Sequence, residues 1–143
     1  GAWRAPGHNI TAWLDQSFVD EMAHLAGKDP VTFRLELLGE EDKEMPYGDH
    51  GGPVYSTRRL KNVIRLAAEK SGWFQPAPKG IYRGFAAHFM FGAYVAEVVN
   101  VSVADNNTIK LAKALAVIDC GLVINKSGAL NQLEGGLIDG LSA

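Results

Sequence analysis

The chain has 143 residues, of which 47% are hydrophobic and 21% charged, and its net charge is −2. These values describe an ordinary globular chain with enough apolar residues for a sizeable core. They exclude a broad basic field for nucleic acid, and no apolar run reaches the length of a membrane span. The single cysteine, Cys120, excludes an intramolecular disulfide, an iron–sulfur cluster and a CxxC zinc site. Its place at the end of an apolar run predicts an inert, buried thiol. No signal peptide is read, since Arg4 is followed by polar and glycine residues. The localisation stays unknown.

Residues 1–7, GAWRAPG, read as a loop carrying one arginine between Trp3 and Pro6. From His8 to Gln16, Ile10, Ala12 and Leu14 alternate loosely with Thr11, Trp13 and Asp15, which predicts a short strand. Ser17 then looks like a helix cap with Asp20 three residues on, and Phe18, Met22 and Leu25 share a face. This predicts a helix over Phe18–Ala26 closed by Gly27. Asp29-Pro30 caps and starts a second helix, expected to be largely buried through Phe33, Leu35, Leu37 and Leu38. Residues Gly39 to Val54 are polar, acidic and rich in glycine and proline, and read as a loop. Asp49 and His50 lie in it without a ligand set around them. Ser56 or Thr57 caps a third helix to about Lys70, ended by Gly72. Its apolar stripe is Leu60, Val63, Ile64 and Ala67. Its wet face is Arg58, Arg59, Lys61, Arg65 and Lys70.

Trp73 to Pro78 is a connector, and strands follow. Ile81–Phe91 is one. Ala93–Ala104 alternates, with Val95, Val99, Val101 and Val103 on the expected apolar face and Glu97 among them. Asp105-Asn106-Asn107-Thr108 is a hairpin turn. Ile109–Asp119 returns, with Leu111, Leu115 and Val117 matching that face. A turn at Asn125-Lys126-Ser127-Gly128 leads into a glycine-rich helix bearing Gln132, Glu134, Gly135 and Gly136. Helices first and strands later predict an α+β fold. The reading is one domain over 1–143, helical over 17–72, strand-rich over 81–119 and helical again over 127–142.

Chemistry is sparse. The four histidines, 8, 24, 50 and 88, are scattered. His24 reads as a packed or surface side chain, and His88 as one in a half-buried sheet. Glu97 is placed at the sheet rim rather than in a pocket. Small and uncharged polar residues at the final strand-to-helix junction suit a backbone lying close to a ligand, or simply a tightly packed helix.

Five stretches carry a resemblance: GAWRAPG, SFVDEMAHLAGKDPVTFRLELL, AEKSGW, RGFAAHFMFGAYVAEVVNVSV and AVIDCGLVINKSGALNQLEGGLIDGLSA. Together they resemble the molybdopterin-binding large subunit of the molybdenum hydroxylases, of xanthine dehydrogenase and aldehyde oxidase type. Within that family they are most similar to the isoquinoline 1-oxidoreductase branch, at its beta chain. The resemblance implies a molybdopterin cofactor carrying molybdenum and the hydroxylation of an aldehyde or N-heterocycle. It also implies electron transfer to an iron–sulfur subunit. Carried over by position, Arg4 and Ala5 sit in a loop against the cofactor, Gln132 contacts the pterin, and Gly135 with Gly136 permits close packing. No residue here matches the family's catalytic glutamate motif, Glu134 is not promoted to that role, and no residue is expected to bind metal directly. The chain is therefore expected to be a fragment that does not hold the cofactor alone. Its expected partners are the remainder of the large subunit and the iron–sulfur subunit, with homo-oligomerisation possible for the isolated chain. The alternative is a non-catalytic small-ligand-binding or self-associating protein derived from a truncated subunit.

Overall fold

The computed structural model describes residues 6–48 and 53–142. Element order is α1 (Pro6–Leu25), α2 (Pro30–Leu37), β1 (Glu44–Met45), β2 (Tyr55–Ser56), α3 (Thr57–Ser71), β3 (Tyr82–Met90), β4 (Ala93–Val103), β5 (Ile109–Asp119) and α4 (Lys126–Ser142). The fold is α+β, as the order of patterns predicts. Strands β3, β4 and β5 form an antiparallel sheet with β4 in the middle. The short β1, inside the region expected to be a loop, pairs separately with β2, which directly follows that region.

The core lies between α3 and one face of that sheet. Leu60, Val63, Ile64, Ala67 and Ala68 of α3 meet Phe85, Ala87 and Phe89 of β3 and Tyr94, Ala96 and Val98 of β4. Leu115 and Val117 of β5 complete the face. Burial of the larger aliphatic and aromatic side chains among these is worth about 1.5–3 kcal/mol each. The alternation in β4 is real, but its inward face is the other one. Val95, Glu97 and Val99 point away from α3 and are half-buried. Both faces of β4 are apolar, so only the packing of α3 decides between them. A bulge between Asn100 and Val101 then shifts the β4–β5 register, and Leu111 ends up exposed.

Local signals hold at two helix ends, whereas Ser56 stands at the N-cap of α3 without a side-chain cap bond. Asp29 accepts from the Val31 and Thr32 amides, and Gly72 closes α3 in the left-handed region. The β3–β4 turn is two residues long, with Phe91 at φ 50° and Gly92 at φ 86°. A Cβ at Gly92 would come 3.0 Å from Pro53, so sterics and backbone conformation both require glycine there.

Four expectations need correction here. Residues 8–16 are not a strand: α1 is helical from Pro6, and Ser17 lies inside it rather than at its cap. Pro6 suits a first helical turn, and Ile10, Leu14 and Phe18 recur at helical spacing. In α2 the buried residues are Val31 and Arg34, whereas Leu37 is exposed. Lys61 is not on a wet face but 2% exposed, because its ammonium reaches the carbonyls of Gly39, Glu40 and Glu41 and the carboxylate of Asp42. Glu97 is not at the rim, since β4 is the central strand and Ala86 and Ala116 flank it.

Arg34 ties α1 to this frame. Its guanidinium donates to Asp20, to the Gln16 amide oxygen and to the carbonyls of Gln16 and Pro30. The same Gln16 Oε1 accepts from the Ala87 amide at 3.0 Å. Helix α1 thereby caps the outer edge of β3, a place where unpaired strand amides would otherwise face solvent.

Candidate functional site

The end of β5 and the start of α4 form a fixed junction. Asp119, the last residue of β5, accepts from Arg59 Nε at 2.7 Å and Arg59 Nη2 at 2.6 Å. The Gly121 amide donates to Asp119 Oδ1 at 3.1 Å. The guanidinium lies 4.4 Å from the centroid of Tyr94, whose hydroxyl accepts from the Ser56 amide and donates to the Val54 carbonyl. The hydrogen bond from Arg59 holds the Asp119 carboxyl below its ordinary pKa, and the same bond raises that of Arg59. Asn125 then caps α4, accepting from the Gly128 amide and the Ser127 hydroxyl.

Helix α4 rests lightly on the sheet. Ala129, Leu133 and Leu137 are half-buried and none of its residues is fully buried. At about 100° per residue, Gly128, Gln132, Gly135 and Asp139 share another face. Gln132 is exposed there, and nothing stands within 4 Å of where a Cβ on Gly135 would sit. Between β5 and α4 lies a hollow of 260 Å³ lined by Ile118, Asp119, Gly121, Val123, Lys126 and Ala129, among others.

Of the residues singled out in sequence, Gln132 and Gly135 therefore fall on one open face, and Gly136 is exposed beside them. Arg4 and Ala5 lie outside the described residues, as do Asp49 and His50. Glu134, two positions from Gln132, is turned about 200° away on the helix. Cys120 is exposed rather than buried, because it follows the last residue of the edge strand β5 and lines the open hollow between that strand and α4. No group of three histidine, cysteine or acidic side chains placed to hold a metal ion occurs among the described residues. Sequence reasoning missed the Arg59–Asp119 pair. Its members are 60 residues apart, and Arg59 reads locally as one of several solvated bases.

A second cluster joins two of the scattered histidines. His8 Nδ1 and His88 Nε2 are 2.9 Å apart, and His8 Nε2 is 3.0 Å from the Tyr47 hydroxyl. The Phe91 ring meets His8 edge-on. A hydrogen bond between two imidazoles needs one nitrogen without a proton. Burial lowers the His88 pKa, the nearby His8 lowers it further, and Asp15 opposes them. The folded value lies below the unfolded one of about 6.5, so this contribution to stability is complete above that pH. It declines as pH falls from there towards the folded value. We expect His88→Gln to flatten the stability profile between about pH 5 and pH 7, as read from urea midpoints across that range.

Glu97 shifts the other way. Burial among Ala86, Ala116, Val95 and Val99 raises its pKa. The ionised form is the disfavoured one, so stability associated with Glu97 is present in acid and lost as pH rises through the folded value. Glu97→Gln is expected to raise the melting temperature at pH 7 by a few degrees, with no gain at pH 4.

Against known proteins, residues 18–143 match the molybdopterin cofactor-binding domain family. The chain belongs to that family. This molybdopterin cofactor-binding domain is 31% identical over 152 residues to a membrane-bound aldehyde dehydrogenase (pyrroloquinoline-quinone) of Gluconacetobacter polyoxogenes, covering 99% of this chain and 19% of that one. It is 30% identical to the beta subunit of isoquinoline 1-oxidoreductase from Brevundimonas diminuta, covering 91% of this chain and 15% of the relative. It is 29% identical to a subunit of nicotinate dehydrogenase from Pseudomonas putida, with 92% and 11% covered. The chain thus spans less than a fifth of the length of these curated relatives, all of them oxidoreductases by name. No solved structure matches it. Among the described residues no helix is long and apolar enough to cross a membrane.

Does the α4 surface fit a pterin? The group is flat and edged with hydrogen-bonding atoms. Gln132 offers a carboxamide that both donates and accepts, and Gly135 leaves the helix backbone uncovered beside it. The chemistry and the space are compatible.

Proposed function

We propose that this chain forms one wall of the molybdopterin site in a larger oxidoreductase subunit that acts on an aldehyde or N-heterocyclic substrate. One observation carries the reading. In a molybdopterin-binding family, the helix that follows a pinned strand end presents Gln132 and an unshielded Gly135 on a single open face. The carboxamide of Gln132 pairs with the pterin edge, and Gly135 allows the ring system to lie close to the helix backbone. Arg4 and Ala5 contribute positive charge and main-chain N–H groups to the anionic part of the cofactor. The cofactor, held there, would supply two-electron redox chemistry, with an iron–sulfur partner as the electron acceptor. The isolated 143 residues do not turn over.

The test uses a tag on this chain. Whatever assembly carries it is purified from its native cell and assayed for molybdenum by mass spectrometry and for pterin by fluorescence after oxidation. We expect about one molybdenum and one pterin per chain, iron in the co-purifying material, and aldehyde or N-heterocycle oxidation absent from the chain alone. An assembly without molybdenum, or one holding pyrroloquinoline quinone in its place, overturns the reading. So does turnover by the isolated chain.

A second reading, a self-associating non-catalytic module, draws on uncovered apolar surface. Leu122 and Ile124 are 90% and 94% exposed, Trp13 and Phe18 project from α1, and β5 is an open edge strand. Patches of this kind mark contact surfaces. Molar mass by light scattering separates the two: a concentration-independent monomer argues against self-association.

A further inference from the structure

We propose that Arg59 is a positioning residue for the cofactor-facing helix. Through Asp119 it sets the direction in which α4 leaves the sheet, and so where Gln132 stands. The inference rests on the reading of Gln132 given above, but its geometry is independent of it.

Helix α4 has little else to fix it. It contributes no fully buried residue, and its most sheltered side chains, Ala129, Leu133 and Leu137, are only half-buried. A helix held so weakly by packing takes its orientation from its root. The root is constrained by a continuous set of contacts. Tyr94 is 0% exposed and its hydroxyl is held between the Ser56 amide and the Val54 carbonyl. Its ring carries the Arg59 guanidinium. The guanidinium meets both carboxylate oxygens of Asp119, and one of these also takes the Gly121 amide. Tyr94 and Asp119 are direct cross-strand partners, so the clamp closes at the last rung of the β4–β5 ladder. Gly121 follows at φ 76°, and Asn125 opens α4 four residues later. The Gly121 amide, just past the ladder, is thus held by a carboxylate that a two-pronged, stacked donor fixes in place. A lysine at 59 would keep the charge but lose the plane, since an ammonium is a point donor.

The experiment compares Arg59→Lys, Asp119→Asn and Gln132→Ala. In the chain itself, hydrogen exchange is followed for residues 122–142 and, as a check on folding, for the β3–β4 hairpin. In the native assembly, molybdenum and pterin retention are measured after dilution. We expect Arg59→Lys and Asp119→Asn each to speed exchange over 122–142 by about tenfold with the hairpin unchanged, and to weaken cofactor retention by about tenfold. Gln132→Ala is expected to weaken retention while leaving exchange alone. A charge-preserving variant that loosens only α4 is not what a general structural role produces. Unchanged exchange over 122–142 in both clamp variants overturns the proposal. So does faster exchange with full retention when Gln132→Ala has lost its cofactor. If Gln132→Ala keeps its cofactor too, the Gln132 reading fails, and the positioning role towards the cofactor falls with it even where exchange shows the clamp.

Discussion

An Arg34→Ala variant is expected to lose about 2–3 kcal/mol of stability, from a buried hydrogen-bond network and a cavity rather than from a stranded buried charge. Arg34 is 5% exposed on a short helix whose own packing is modest. Its five contacts are spread over three elements. It reaches Asp20 and Gln16 on α1, the Pro30 carbonyl on α2, and the ring of Phe85 on β3 at 5.7 Å from the centroid. Truncation removes the donors from Gln16 and Asp20 together and opens a cavity against Phe85. Asp20 is partly exposed and recovers hydration, so the larger loss comes from Gln16. Once that amide oxygen is free to move, its bond to the Ala87 amide weakens and the β3 edge opens. Urea melts measure the total. Exchange of the α1 amides and of Ala87 locates it, and a loss below about 1 kcal/mol with α1 still protected would refute this account. Arg34→Met retains much of the volume and separates cavity from polar loss.

The parts of the fold that could be read in sequence are those whose cause is local. Asp29-Pro30 announces α2 because a carboxylate and a fixed φ act on the next three residues. Gly27 and Gly72 mark helix ends through their own backbone conformation. The 105–108 turn is legible for the same reason, with Asn107 taking the left-handed region. What failed depends on partners far along the chain. Residues 8–16 carry both a loose period of two and a helical spacing, and contact with β3 and α2 decides between them. The inward face of β4 depends on α3, because Val95 and Val99 are as apolar as Ala96 and Val98. Glu97 became central rather than peripheral through strand order alone. His8 and His88 lie 80 residues apart, and only α1 crossing the end of β3 brings them together. The candidate site shows the same division. Residue pattern gave a glycine-rich helix after a strand, while Gln132 stood out only through the family resemblance. The Arg59–Asp119 clamp had no signal, since a salt bridge leaves no spacing rule when its members come from different elements.

Lys61 supplies the second large effect and explains why a charged residue can sit in an apolar stripe. It lies beside Leu60 and three residues before Ile64, and its stem passes through the core side of α3. The ammonium emerges at the far end of α2. There it donates to the carbonyls of Gly39, Glu40 and Glu41 and meets Asp42 at 2.7 Å. These are carbonyls beyond the last turn of α2, where the helix dipole also favours a cation. Lys61→Met keeps the stem and removes the charge. The three carbonyls belong to exposed residues and can take water, so the expected loss is about 2–3 kcal/mol rather than the full cost of orphaned buried groups. The signature is spatial as well as energetic. Exchange should rise over residues 39–43 and at the Thr57 amide, which donates to the Lys43 carbonyl, while the β3–β4 hairpin stays protected. Because the ammonium is screened from solvent, raising salt to about 1 M should leave most of the wild-type stability difference in place, whereas a surface pair would lose it. A variant that melts like wild type, or one whose loss vanishes in salt, would return Lys61 to the wet face that its neighbours in sequence suggest.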